Sequence, residues 1–555
     1  MLLRKSKHFL YKNNQQSNNF MRSVTTLLLT IAFIITGILM PVSSLQAQEI
    51  PDDNFEDTDE ITITLEEALQ IAMINNYMLQ RGLLDVELSE AQIREAWGSV
   101  YPQLNASGSY TRNILTPNPF AGSDAGGLFE TLGAIDWLAF NENARTDGDP
   151  ETSPISFDQY LERQQQGFID AGLTPPGFDD SNPFGVDNQF EFGLSLTQAI
   201  YNGAAFAAIR GAQQLRDLNE KQVEVDRQNV AEEIKNSFYS ALLAKEQVDV
   251  LQASADRLER TVEETRKSEE AGILSKYDRI SAEVELVNLE TNLLEAENQS
   301  ELAKKNLALQ LGIPPSITLN LRGELVYEES LGEGIYDIDH AYELALQQRP
   351  DLNQTESLLE LIDVEGSIAR SGYFPTVNAF ANAAYIGQVP SNRTSAVPVE
   401  GEEFEFRSQT RSFFDDSYWN PSVAVGIRLN WNIFNGFQTR MNVQQNQIER
   451  KQAELDREFQ KNGIYLELDQ ALKNLENALK RIQSQERNLE QAQLNYDFSL
   501  TRLREGAGTP LQERQASSLL DQSKLNYLSA VYDYLIAVTE YEKAIGKPLF
   551  PTSND

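Results

Sequence analysis

The sequence predicts an α+β protein of two tandem halves, each joining a pair of amphipathic β-strands to very long coiled-coil helices. Three observations carry that prediction. Marks at strand and helix ends recur about 234 residues apart: Tyr201-Asn202-Gly203 returns as Phe434-Asn435-Gly436, Gly272 as Gly506, and Gly312 with Pro314 as Gly546 with Pro548. Four short segments alternate apolar and polar residues, the period of a strand with two unlike faces. Between these marks, apolar residues step by three and four over tens of positions, as in a coiled-coil seam. A duplication this long exceeds the roughly 20 to 50 residues of solenoid units and indicates two structural halves.

In chain order, Arg22 precedes an apolar run from Val24 to Val42, and Ser43, Ser44 and Ala47 follow it. This reads as a signal peptide over residues 1–47, with Met21 as an alternative start; an uncleaved anchor is the competing reading. An acidic linker occupies 48–60, the first repeat 61–312, an inter-repeat linker 313–337, the second repeat 338–548 and a tail 549–555. Thr64 with Glu67 forms a capping box for a helix running towards Val100, stopped by Pro102. A strand follows from Leu104 to Tyr110, then a long Gly-, Pro-, Asp- and Phe-rich loop over 115–188 with a short helix near Ser156 to Gln165. A second strand around Phe190 to Thr197 leads through Asn202-Gly203 into a long helical region. The second half repeats the order: helix from Ile338, Phe374-Pro375 in place of Tyr101-Pro102, strand from Thr376 to Gly387, loop 388–418, strand from Ser422 to Phe434, then helix. The Tyr-Pro mark is offset by 273 rather than about 234, so roughly 40 extra residues lie in the first inter-strand loop.

The stretch from Gly436 to Glu505 is free of proline and would make one helix near 100 Å long. Its seam is Leu468, Leu472, Leu475, Leu479, Ile482, Leu489, Ala492 and Tyr496; Val248, Leu251, Ala255, Leu258 and Val262 form the first-half counterpart. The runs break at Ala271-Gly272 and at Gly506-Ala507-Gly508-Thr509-Pro510, and an antiparallel partner returns with Leu520, Tyr527, Val531, Tyr534, Val538, Tyr541 and Ile545.

Composition removes most catalytic chemistry. There is no cysteine and there are 2 histidines, His8 and His340, so a thiolate nucleophile, a Cys/His zinc site or a Ser-His-Asp triad would each depend on residues that are absent or single. No catalytic residue, cofactor or metal site is expected. The net charge of −37, more negative still without the basic leader, argues against a nucleic-acid partner. The acids read either as solvated helix faces or as a cation-attracting lumen.

Four strands with one apolar face cannot close a membrane barrel alone, because barrels have about 8 strands or more and open edges leave backbone groups unpaired in lipid. Either further copies complete the barrel, or the strands are soluble hairpins capping a non-pore coiled-coil scaffold.

The duplicated order of helix, aromatic-Pro, strand, loop, strand, aromatic-Asn-Gly, long helix, Gly-containing tip and return helix, over about residues 61–548, resembles the TolC family of outer-membrane efflux proteins. The resemblance implies a homotrimer whose four strands per chain build one 12-stranded outer-membrane β-barrel, continued across the periplasm by a helical tunnel. It also implies an exit duct of a tripartite efflux or type I secretion system, opened by a periplasmic adaptor (membrane fusion) protein and an inner-membrane pump of RND, ABC or MFS type. Carried onto this chain, Gly272, Ser275, Asp278 and Ala282 match the first helix tip, and Gly506, Thr509, Gln512 and Ala516 the second. Where the family's constriction carries acids this chain has Gln512 and Gln515, which puts a carboxylate gate there in doubt; Asp278 is either a source of charge or an ordinary helix N-terminal residue. Tyr101, Pro102, Phe374, Pro375, Asn202, Gly203, Asn435 and Gly436 mark helix–strand transitions, and Tyr201, Trp431, Phe434 and Phe437 are candidates for an interfacial aromatic girdle in contact with outer-membrane lipid.

Overall fold

The computed structural model describes residues 60–115, 126–146, 148, 152–175, 186–327, 337–400 and 402–550. The signal peptide, nearly all of the acidic linker and the C-terminal 551–555 lie outside them. In chain order the elements are β1 (Glu60–Ile63), α1 (Leu65–Asn75), α2 (Tyr77–Gly98), β2 (Gln103–Arg112), α3 (Gly126–Thr146), α4 (Phe157–Asp170), β3 (Asn188–Tyr201), α5 (Gly203–Glu270) and α6 (Lys276–Leu311) in the first half. β4 (Thr318–Leu321), α7 (Ile338–Gln348), α8 (Pro350–Ser371), β5 (Thr376–Val389), β6 (Thr394–Pro398), β7 (Phe406–Thr410), β8 (Trp419–Asn430), α9 (Gln438–Arg504) and α10 (Pro510–Ala544) follow.

The duplication has a structural counterpart in four helical columns. The long helices α5 and α9, of 68 and 67 residues, are one column each, about 100 Å in length. The other two are composite. α2 stands end to end on α6, joined where Asn76 Nδ2 donates to the Gln310 carbonyl at 2.7 Å, and α8 stands on α10, joined where Arg349 Nη1 donates to the Ala544 carbonyl at 3.1 Å. α5 packs between the two composite columns and α9 packs on α8 and α10, so the lateral order is α2/α6, α5, α8/α10, α9.

The single helix expected from Thr64 towards Val100 is two helices. Thr64 does form its capping box with Glu67, but Asn76 takes an extended backbone and caps the second helix, its Oδ1 accepting from the Met78 and Leu79 amides. In the second half Arg349 is extended because Pro350 disfavours helical geometry in the residue before it. Gly312 and Gly546 do more than end helices. Both have positive φ, and a Cβ at Gly312 would lie 2.1 Å from the Asn75 carbonyl oxygen, one at Gly546 2.8 Å from the Arg349 amide nitrogen. Glycine is what lets the ends of each composite column meet.

The core lies at these joints. Leu79, Ile234, Leu242, Leu307, Leu311, Leu468, Leu475, Val531 and Tyr534 are buried in one cluster, with Ile63 and Leu319 from a small parallel β1–β4 pair. That pair lies partly in segments expected to be linkers. Register explains it: Ile63 and Leu319 present their apolar sides to the core while Glu60 and Thr318 remain exposed.

The long loop expected over 115–188 contains two helices among its described residues, not only the short one near Ser156. The loop over 388–418 contains the β6–β7 hairpin. The two excursions pack on each other: Phe140, Tyr160 and Phe404 meet at ring distances of 5.2–5.7 Å, and Phe168 lies 4.4 Å from Phe406. Aromatic residues scattered in a polar loop carry no period to read, so only their mutual contact shows that the segment folds.

Candidate functional site

The four-stranded sheet has the order β2-β3-β5-β8, antiparallel throughout, and its register sorts side chains into two unlike faces. One face carries Leu104, Ala106, Tyr110, Phe192, Leu194, Leu196, Ala381, Ala383, Tyr385, Val423, Val425, Ile427 and Leu429. The other carries Asn105, Ser107, Ser109, Ser195, Thr197, Asn378, Asn382, Ser422 and Arg428. The strand bounds shift slightly from expectation, the last strand being Trp419–Asn430 rather than Ser422–Phe434. Val425 is 77% exposed and Ile427 69%. A contiguous apolar sheet face is stable when lipid covers it, and the alternation matches a barrel wall with lipid on one side and water on the other. No described helix is long and apolar enough to cross a membrane.

Both ends of the apolar face carry aromatic rings. Near the helices, Tyr201, Trp431, Phe434 and Phe437 are all exposed, with Phe434 and Phe437 rings 5.3 Å apart and Trp431 Nε1 donating to the Tyr373 carbonyl at 3.2 Å. At the far end Trp419 is buried among Phe190, Phe192, Tyr385, Phe413 and Phe414, and Gly387 opposite leaves room for its ring. This second cluster has no counterpart among the residues singled out from sequence. The signal for it was the alternation itself, which continues back from Val423 through Pro421 to Trp419.

The aromatic-Asn-Gly marks, alike in sequence, are used differently. Asn202 caps α5, accepting from the Ala205 amide at 3.2 Å, and Gly203 is its first residue. In the second copy Gly436 and Phe437 both have positive φ, α9 starts only at Gln438, and Asn435 Nδ2 donates to Thr439 Oγ1 at 2.7 Å. At the opposite transition, Tyr101-Pro102 and Phe374-Pro375 sit between helix and strand, with Tyr101 and Phe374 exposed.

The far helix ends form the two tips. Gly272 and Gly506 have φ near +70° with nothing close to a Cβ, so backbone conformation alone calls for glycine there. Ser275 and Asp278 form a reciprocal capping box on α6, and Thr509 and Gln512 form one on α10. Hydrogen bonds from Ser275 hold the Asp278 carboxyl below its ordinary range. Gln512 and Gln515 are exposed, whereas Glu513 and Arg514 between them are buried.

Glu513 and Arg514 belong to a polar cluster that joins the two hairpins just above the tips. Arg257 on α5 pairs with Asp521 on α10, which also accepts from Ser254 at 2.6 Å, and Arg514 lies 3.3 Å from Glu285 on α6. These groups line a cavity of about 310 Å³. Burial pushes the Glu513 carboxyl up, with Arg514 and Arg257 pulling back only part of the rise. The seam spacing could have found Glu513, since stepping back from Leu520 by four and three reaches Ala516 and Glu513.

Residues 181–313 and 341–547 match the family model described as Outer membrane efflux protein. The chain belongs to the outer membrane efflux protein family. An outer membrane efflux protein is an outer-membrane channel with a periplasmic extension, so the apolar sheet face is its lipid surface and the polar face its lumen. The family is one of channels and not of enzymes. Similar folds are seen in crystal structures of CusC (TM-score 0.59, 16% identity, 88% of this chain and 93% of that one) and of the Campylobacter jejuni CmeC outer membrane channel (0.57, 14%, 88% and 87%). The Vibrio cholerae outer membrane protein VceC is likewise similar (0.58, 14%, 87% and 96%). Among curated proteins none matches the chain in sequence.

Proposed function

We propose that this efflux protein works as a homotrimer in which three sheets close one 12-stranded barrel, forming the passive exit duct of a tripartite efflux or type I secretion system. One observation carries the reading: a four-stranded sheet with a lipid-type face has two open edges, β2 and β8. Unpaired edges in lipid cost several kcal/mol per group, and strand direction alternates so that β8 of one copy meets β2 of the next antiparallel. The edge columns support the same closure. Ile280, Val284, Val287 and Leu294 on α6, and Ile448, Leu455, Phe459 and Leu466 on α9, are exposed apolar stripes with no partner in the described chain.

On this reading the duct is not an enzyme; an inner-membrane pump of RND, ABC or MFS type supplies the energy, and a periplasmic adaptor docks at the tips. Gly272, Ser275, Asp278, Gly506, Thr509, Gln512 and Gln515 are the docking and aperture residues, and Tyr201, Trp431, Phe434 and Phe437 form the inner aromatic girdle. Residues 1–47 act as the signal peptide. Purified protein is expected to migrate as a heat-modifiable trimer and to give single-channel currents in planar bilayers. Recovery as a freely soluble periplasmic rod without conductance would instead support a non-pore scaffold.

A further inference from the structure

The luminal face of the sheet is almost uncharged, although the chain as a whole carries −37. Among its strand residues on that face, only Glu191 and Arg428 are charged. They lie far apart. Arg428 is opposite Asn378, next to the helical tunnel, whereas Glu191 is opposite Ile386, eight residues outward along the same strand and so about 26 Å away.

Arg428 is held in place by its own surroundings. Its guanidinium carbon lies 5.1 Å from the Phe380 ring centroid, a cation–π distance. Phe380 is in turn seated over Gly426, where a Cβ would come within 2.9 Å of the ring. Arg428 pairs with no carboxylate among the described residues. Its charge is therefore not cancelled locally, and its neighbours on the face at that level are Asn378, Asn430 and Thr376, all neutral.

We propose that Arg428, seated on Phe380, forms a cationic collar where the barrel lumen meets the tunnel, favouring passage of anionic cargo groups and retarding cationic ones. The proposal rests on the trimeric-duct reading, which places three such guanidiniums around one passage. It also narrows the expectation of a cation-attracting lumen: the acidity of the chain does not extend to the wall of the barrel's inner half.

The absence of cysteine allows a local test. A thiol introduced by Asn378→Cys, in trimers in outer-membrane vesicles, is treated with thiosulfonate reagents bearing +1 or −1 charge. The anionic-to-cationic rate ratio is expected to fall about seven-fold on adding Arg428→Gln, the factor set by a unit charge about 7 Å away in water. Arg428→Lys is expected to keep it. Should Arg428→Gln fail to assemble, a thiol from Asn382→Cys, on the same face and midway between Arg428 and Glu191, serves as reference: with Arg428 intact, the ratio at position 378 is expected to exceed that at 382. A ratio unchanged by Arg428→Gln, or equal at the two positions, overturns the collar. So does an inert thiol at 378 with a reactive one from Ala379→Cys, on the opposite face. A trimer that passes no current in planar bilayers overturns the duct and the collar together; a conducting trimer with unchanged reagent preference overturns the collar alone.

Discussion

Arg349 illustrates how single residues hold the composite columns. It is buried, forms two hydrogen bonds with the Asp351 carboxylate at 3.0 and 2.9 Å, reaches Glu467 on α9 at 2.9 Å and donates to the carbonyl of Ala544, the last residue of α10. Burial by itself would raise Asp351, but its hydrogen bonds and charge pairing with Arg349, together with Gln460 and the Leu352 amide, outweigh that and hold the carboxyl below its ordinary value. A carboxyl lowered in the folded state contributes stability above its unfolded value and loses it as pH falls through the folded one. Heat stability of the protein is therefore expected to drop as pH falls below about 4. Asp351→Asn should cost about 1–2 kcal/mol at neutral pH, discounted for partial exposure, and flatten that acid limb. Thermal melts of the two proteins between pH 3 and 7 check this; parallel curves would show that the pair is not part of the acid response. Glu513 at the tips has the opposite sign. Its raised carboxyl favours the neutral form, so acidification strengthens packing there while weakening the joint.

At the scale of elements, the strands and seams were largely legible, and the breaks between helices were not. Period-two alternation placed all four membrane strands, because lipid on one side and water on the other impose it on every residue. Seam residues Leu468, Leu475, Ile482, Val531 and Tyr534 are buried as their spacing required. The break at Asn76 escaped notice because asparagine inside an apolar-periodic run is common; what makes it a cap is the end of α6 arriving at Asn75 and Asn76 from 234 residues away. The β1–β4 pair was hidden for the same reason, each strand being only four residues long. The sheet faces yield a paired prediction. Val425→Arg, on the lipid side near the middle of β8, should destabilise the barrel by about 2–4 kcal/mol, whereas Ala424→Arg, one residue away on the luminal side, should leave folding nearly unchanged. Urea unfolding in lipid vesicles distinguishes them, and equal losses would reverse or abolish the assignment of faces.

For the whole molecule, the proposed duct has its proposed aperture at the tips. The α9–α10 hairpin is tied to α5 and α6 by polar contacts at Arg257, Asp521, Arg514 and Glu285, around a cavity and not a dry seam. Such an interface separates at lower cost than an apolar one, since water can replace its hydrogen bonds. Opening by movement of the tips then predicts that linking the three α10 tips through Gln515→Cys with a short bifunctional reagent abolishes export and leaves trimer assembly intact. Unchanged export from the linked trimer would exclude tip movement as the gate.

The sequence by itself determined the two halves, their strand faces, their seams and their turning points, because each is written in local periodicity or in a backbone conformation that glycine alone adopts easily. Only the tertiary structure decided how those parts meet. The stacking of α2 on α6 and α8 on α10, the ring cluster around Trp419, the burial of Glu513 with Arg514, and the solitary Arg428 on a neutral wall all depend on contacts between residues far apart in the chain. No local period encodes such contacts, since they exist only after the columns and sheet have been brought side by side.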